Sequence, residues 1–366
     1  MNKIKPIAIY LPQFHPIAEN DAWWGKGFTE WTNVAKAKPR FEGHYQPHLP
    51  ADLGFYDLRL DEARMAQEQM AKDYGIHGFC YYHYWFNGKR VLHEPLDRKL
   101  KNSNEDFPFM MCWANENWTR TWDGGENNIL LKQVYSEEDD LKHILHLIPY
   151  FKDDRYIKID GKPVFVIYRA NLFPDIKRTI QIWNEIAINN GLAGLHIGYV
   201  EAFEDKEDKK YLGFDFGIEF QPNFSNVPKK PIKKEKLLSK YYKKFLKNIK
   251  VKSSKRVNEH DRVFEYEDFM VLQKKARYKD DVSPMITPMW DNSPRRKRDA
   301  FILKNASPEL YGNWLEHLRN NYDWDKNKEK FLFINAWNEW AEGNHLEPCH
   351  KWGTSYLEIT KKVLSQ

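Results

Sequence analysis

The strongest constraint in this chain is a rhythm. Eight short apolar or β-branched runs recur along it: Ile4–Leu11, Gly75–Tyr84, Phe107–Ala114, Pro163–Tyr168, Leu195–Glu201, Asp215–Gln221, Ser283–Trp290 and Phe331–Trp337. Several are apolar almost without interruption, as strands covered on both faces are. Helical spacing fills the intervals at Leu58–Tyr74, Glu137–Phe151, Ile176–Asn190 and Pro308–Tyr322; in the second, Leu141, Ile144, Leu145 and Ile148 share one face. Eight strand–helix alternations predict an α/β chain, specifically a (β/α)8 TIM barrel. A doubly wound sheet comes second, because no GxGxxG or GxxxxGK[ST] follows any of the runs. The 366 residues suffice for one such barrel over 1–366.

Two segments break the rhythm. Residues 12–57 read as a long loop after the first strand, with Trp23, Trp24 and Trp31, and loops of that length in a compact domain tend to be functional. Residues 223–281 read as a basic, mostly helical insertion after the sixth strand. Between Lys229 and Arg256 there are 13 Lys/Arg and one acid, Glu235, a charge of +12. The chain as a whole carries +5, so the remainder carries 5 − 12 = −7. Leu237, Leu238, Tyr241, Tyr242, Phe245 and Leu246 interleave with these cations, an amphipathic pattern suited to an anionic membrane surface. With all the basicity in one segment, a nucleic-acid partner is not expected.

The mean hydropathy of −0.77 and the short apolar runs leave no membrane-spanning helix. The N-terminus has too short an apolar stretch and no small-residue cleavage site, so it does not read as a signal peptide. The three cysteines, Cys80, Cys112 and Cys349, form no disulfide framework. Together these predict a cytoplasmic protein, peripheral to the inner membrane if the basic segment binds lipid.

In a barrel of this kind the chemistry sits where strands end. Those ends offer Tyr10, His83, Tyr84, Tyr168, Glu201, Gln221 and Trp290. The third adds Trp113, Asn115, Glu116, Trp118 and Trp122 within CWANENWTRTWDG, and the eighth adds Trp337 and Asn338. Trp31 in the long loop joins them. Eleven of the fourteen tryptophans fall at such ends or in the loops that follow, which marks one end of the barrel as the working end. Flat indoles stack on the apolar faces of sugar rings, while carboxylates and amides bond the hydroxyls. These residues are the candidate substrate-binding set, for an oligo- or polysaccharide.

Glu339 and Glu342 are the candidate catalytic pair. Three residues apart and just before Gly343, they can meet on one substrate if the chain turns there; along an extended strand they would face apart. Glycosidic chemistry needs two carboxyl groups, one to protonate the departing oxygen and one to act as nucleophile or base. His345, Glu347, Cys349 and His350 match no zinc spacing, and the Asp323/Asp325 pair falls before the eighth strand, at the wrong end. No metal and no cofactor are expected.

At IAIYLPQFH, HGFCYYHYWF, CWANENWTRTWDG and INAWNEWAEGNHLEP the chain resembles the glycoside hydrolase family 99-like proteins of the WbsX-like group. That group is often labelled glycosyltransferase and is found among bacterial surface-polysaccharide genes. The resemblance runs from the first strand to the eighth. It implies a (β/α)8 barrel and retaining, endo-acting cleavage of α-mannoside-like linkages without metal. In the mechanism it implies, Glu339 takes the proton of the sugar 2-hydroxyl, whose oxygen attacks the anomeric carbon to form an anhydro-sugar. Glu342 protonates the leaving oxygen and later activates water. The family's hydrolases usually carry His between the Trp and Glu of this element, where this chain has Ala341. A transferase of O-antigen or capsule synthesis and a non-catalytic glycan-binding barrel are the alternatives.

Overall fold

A computed structural model describes residues 4–120, 125–202, 209–229, 260–279 and 281–366. Nine parallel strands form its centre: β1 (Lys5–Tyr10), β2 (Gly78–Phe86), β3 (Phe109–Trp113), β4 (Lys162–Ile167), β5 (His196–Val200), β6 (Phe216–Ile218), β7 (Val282–Ser283), β8 (Met285–Ile286) and β9 (Phe331–Ile334). They follow one another in the order β7-β6-β5-β4-β3-β2-β1-β9-β8. The two ends of that path, β7 and β8, are consecutive in the chain with only Pro284 between them, so the sheet is a nearly closed barrel. Pro6–Tyr10, all of β3 and Pro163–Ile167 are buried, as expected for strands covered on both faces.

Helices wrap this ring: α1 (Ala18–Trp24), α2 (Glu30–Lys36), α3 (Asp61–Asp73), α4 (Glu94–Lys101), α5 (Glu137–Lys152), α6 (Ile176–Asn189), α7 (Tyr266–Gln273), α8 (Pro308–Asn321) and α9 (Ser355–Leu364). Several begin on a side-chain cap: Ser136, Asp175 and Ser307 accept the backbone N–H three residues on. Among the described residues no helix is long and apolar enough to cross a membrane.

Two expectations change. The run Ser283–Trp290 is not one strand. Pro284 has no N–H to give to a ladder, so β7 pairs with β6, β8 pairs with β9, and the chain then leaves the barrel. Trp290–Asp291 instead pairs antiparallel with Phe301–Lys304, which also pairs with Arg262–Glu265 in a small separate sheet. Residues 12–57 are not simply loop, since α1 and α2 lie there. Of the insertion at 223–281, residues 230–259 and 280 lie outside the described residues; α7 and the strand Arg262–Glu265 are its described part.

Candidate active site

A cavity of about 380 Å³ opens at the carboxyl ends of the strands. Its wall comes from nearly every strand in turn. Leu11 follows β1, Tyr82 and Tyr84 lie on β2, Glu116 follows β3, Tyr168 follows β4, Phe220 follows β6, Arg295 follows β8, and Glu339 and Glu342 follow β9.

The two glutamates converge because the chain turns between them. After β9, Asn338–Glu339 pairs antiparallel with Asn344–His345, and Trp340–Glu342 forms a single 3-10 turn. Gly343 closes it at φ +55°, and a Cβ there would lie 2.9 Å from Asp291 Cβ and 3.0 Å from its carbonyl oxygen. Glycine alone meets both demands without strain. The turn rests on Trp340, whose Nε1 donates to Glu347 at 2.6 Å and whose ring stacks on His345 at 3.8 Å. Tyr56 and Gln67 also donate to Glu347, at 2.8 and 2.6 Å, and burial lifts its carboxyl to about 7.

Both glutamates are bound to one guanidinium. Arg295 donates from Nη2 to Glu339 at 2.7 Å, and its Nη1 lies 2.7 Å from a Glu342 oxygen. Its other edge holds Glu30, the first residue of α2, at 2.9 Å from Nε and 2.5 Å from Nη2. Glu30 is wholly buried. Burial pushes the Glu339 carboxyl well above the ordinary carboxylate range; Arg295 opposes the rise, and Glu342 and Glu30 add to it. Burial works against the Arg295 charge, but the three carboxylates outweigh it and hold the guanidinium protonated.

The structure brings Tyr84, Glu116, Trp118, Tyr168, Trp290, Glu339 and Glu342 to the cavity. It places the other candidates elsewhere, and most of those displacements have one cause. Side chains alternate along a strand. Ile9, Cys80, Tyr82, Cys112, Val166, Tyr168, Val200, Ile218 and Phe220 face the barrel interior, so their neighbours face out. Tyr10 accordingly donates to Gln67 of α3 at 2.6 Å. His83 meets His143 of α5, Nε2 to Nε2, at 2.9 Å, and burial drives its pKa well below the usual imidazole value. Trp113 packs edge-on against His143 and donates to the Trp85 carbonyl at 3.2 Å. Gln221 donates to Gln273 of α7 at 3.3 Å, and Glu201 is ion-paired with Lys279.

The remaining candidates are braces. Trp31 donates to the Tyr56 carbonyl at 2.8 Å and packs on Phe14 and Trp340. Asn115 accepts from the Arg169 amide at 2.7 Å and donates to the Arg169 carbonyl at 2.9 Å, tying the end of β3 to the end of β4. Asn338 spans the Leu11 amide and carbonyl at 2.7 and 3.0 Å. Trp337 is fully buried against Phe79. Trp122 lies outside the described residues.

Sequence reasoning places Tyr82 at a strand end without choosing it for the site, and misses Phe220, Glu30 and Arg295. The two-residue alternation was a usable signal for the first two, since it selects Tyr82 over His83 and Phe220 over Gln221. Nothing local marks Glu30 or Arg295. Among the described residues no three His, Cys, Asp or Glu side chains gather as a metal site.

Residues 6–360 match the family model Glycosyltransferase WbsX. The chain is similar to the uncharacterized protein WxcX of Xanthomonas campestris pv. campestris, with 39% identity over 98% of this chain and 49% of the relative. It thus spans about half the length of the curated relatives it matches. Among solved structures, a glycoside hydrolase-like protein superposes with a TM-score of 0.62 at 14% identity, covering 100% of this chain and 94% of that one. The GH99 endo-alpha-mannosidase from Bacteroides thetaiotaomicron gives 0.53 at 14% identity, covering 98% and 96%. At such identities the likeness is one of fold. On a glycoside hydrolase-like barrel, and by sequence over almost its full length, the chain belongs to the WbsX glycosyltransferase family of carbohydrate-active proteins.

Proposed function

We propose that the chain is a retaining, endo-acting glycoside hydrolase for α-mannoside-like linkages, with Glu339 and Glu342 as the working carboxyl pair. The observation that carries this is the convergence of both carboxylates on Arg295 at the wall of an aromatic-lined cavity. Tyr84 and Trp118 stack at 5.3 Å with their planes 26° apart, a surface on which a sugar ring can lie. Gln13 and Trp290 also line the wall, and their Nε2 and Nε1 are buried without a hydrogen-bond partner among the described residues.

In this mechanism Glu339 takes the 2-hydroxyl proton, the freed oxygen attacks C1, and the C1–O bond to the leaving group breaks as Glu342 delivers its proton to that oxygen. The raised Glu339 carboxyl is a strong base only once ionised, so the step begins with the pair's proton on Glu342. Water, losing a proton to Glu342, then attacks C1; the bond from C1 to the 2-oxygen breaks and Glu339 returns its proton to that oxygen. A sugar hydroxyl in place of that water would make the same site a transferase, the activity in the family's name.

The test is a panel of mannose-containing oligosaccharides and sugar nucleotides, scored for both release and transfer, with Glu339→Gln and Glu342→Gln. Each variant is expected to lose at least about 100-fold in turnover and to keep its circular dichroism. Full turnover in both variants removes the pair from the mechanism. Tight glycan binding with no turnover by the native chain, unchanged in Glu342→Gln, would instead make it a binding barrel.

A further inference from the structure

Arg295 is more than a neighbour of the pair. Its Nε and Nη2 are both committed to Glu30 Oε1, so its planar head is fixed before it meets the cavity. Glu30 is fixed in turn. Thr29 begins α2 with a capping box, and the Glu30 amide donates to the Gln13 carbonyl at 3.0 Å. The segment bearing Arg295 is held from the other side. Arg40 grips Asp261 at 2.8 and 2.9 Å and donates to the Ser293 carbonyl at 2.8 Å.

The charges do not balance. One guanidinium faces three carboxylates where water is scarce, and full ionisation would leave two net negative charges within a few ångströms. An acid–base pair must carry one proton between its two members. If Glu30 offsets Arg295, the pair is left with that single proton. Without Glu30, the uncompensated cation would strip it.

We propose that Glu30 is a positioning residue of this site: through Arg295 it sets the Glu339 and Glu342 carboxylates side by side and supplies the negative charge that keeps one proton on the pair. The proposal rests on the catalytic assignment above and deepens it. During the first step the pair gains a proton at Glu339 and loses one at Glu342. Its net charge is unchanged, so Arg295 and Glu30 can stay still. The other titratable or charged groups at the cluster are Tyr82, Tyr84, Tyr168, Arg296, and Glu116 with its partner Arg169. Burial holds all three tyrosines protonated through the working range.

The test reads the protons directly, in the full chain and without substrate. Carboxyl carbon-13 signals of glutamate-labelled protein are followed by NMR across pH, and the signals lost in Glu339→Gln and Glu342→Gln identify the pair. Glu30→Gln is expected to lower the pair's titration midpoints by about one pH unit or more, and Arg295→Gln to raise them by a similar amount. Arg295→Lys, which keeps the charge, is expected to leave them within a few tenths of a unit. A brace alone would weaken folding and move no midpoint, so fixed midpoints in a folded Glu30→Gln or Arg295→Gln overturn the proposal. If only one of these two folds, the sign of its shift decides. Moved midpoints in a protein that cleaves no glycan would keep the clamp and sink the hydrolase assignment. Fixed midpoints in a protein that does cleave would do the reverse.

Discussion

Gly343 shows how little room the site leaves at single positions. Its φ of +55° and the close approach of Asp291 both exclude a side chain. Gly343→Ala is expected to cost about 2 kcal/mol or more in urea unfolding and at least about tenfold in turnover, because the displaced turn carries both glutamates. An alanine variant with native stability would show that the turn tolerates φ > 0 in a non-glycine residue and that Asp291 can retreat. The carboxylate pair was legible in the sequence because it is local: two acids three apart, with a glycine to turn the chain. Arg295 was not, because its partners lie 265 and 44 residues away and only the barrel brings them together. His83 was misplaced for a different reason. A strand end was treated as a cluster of side chains, although neighbours on one strand face opposite ways, and it is Tyr82, Tyr84 and Phe86 that reach the mouth.

Between strands, the closest fit is at Gly198 of β5. It lies directly beside Phe216 of β6, and a Cβ on it would come within 2.5 Å of that ring. Gly198→Ala is therefore expected to destabilise the fold by about 1–3 kcal/mol, although alanine is ordinarily the better strand residue. Adding Phe216→Leu should recover part of the loss, and strict additivity of the two changes would show that they do not touch. The long helices could be read almost to their ends: Ile176–Asn190 was expected where α6 spans Ile176–Asn189, and Pro308–Tyr322 where α8 spans Pro308–Asn321. The sixteen residues of α5 show a helical period clearly, although its buried face runs through Ile144, Leu147, Ile148 and Phe151 and leaves Leu141 and Leu145 exposed. Seven-residue helices such as α1 and α2 carry too few turns to show a period, so the segment holding Glu30 passed for loop.

At the scale of the whole molecule, the alternation of runs was enough to give the barrel, because each apolar strand needs cover on both faces and the chain is long enough to close a ring. The charge distribution was equally plain, with +12 in one stretch against −7 elsewhere. Sedimentation with vesicles tests what that stretch does. The chain is expected to bind vesicles rich in phosphatidylserine, to ignore neutral ones, and to release when salt is raised from about 0.1 to 1 M, as screening shortens to about 3 Å. Equal binding to neutral vesicles, or none to either, removes the membrane role. One further property follows from Pro284. The backbone links that fasten the circle there include Gly217 to Asp281, Glu219 to Ser283, Phe333 to Pro284 and Asn335 to Ile286. The chain leaving that joint leads straight to Trp290 and Arg295. Gentle warming should work this clasp loose first, and amide hydrogens at Gly217 and Phe333 should trade with deuterium sooner than those midway round the hoop. The protein would then fall silent several degrees before it melts.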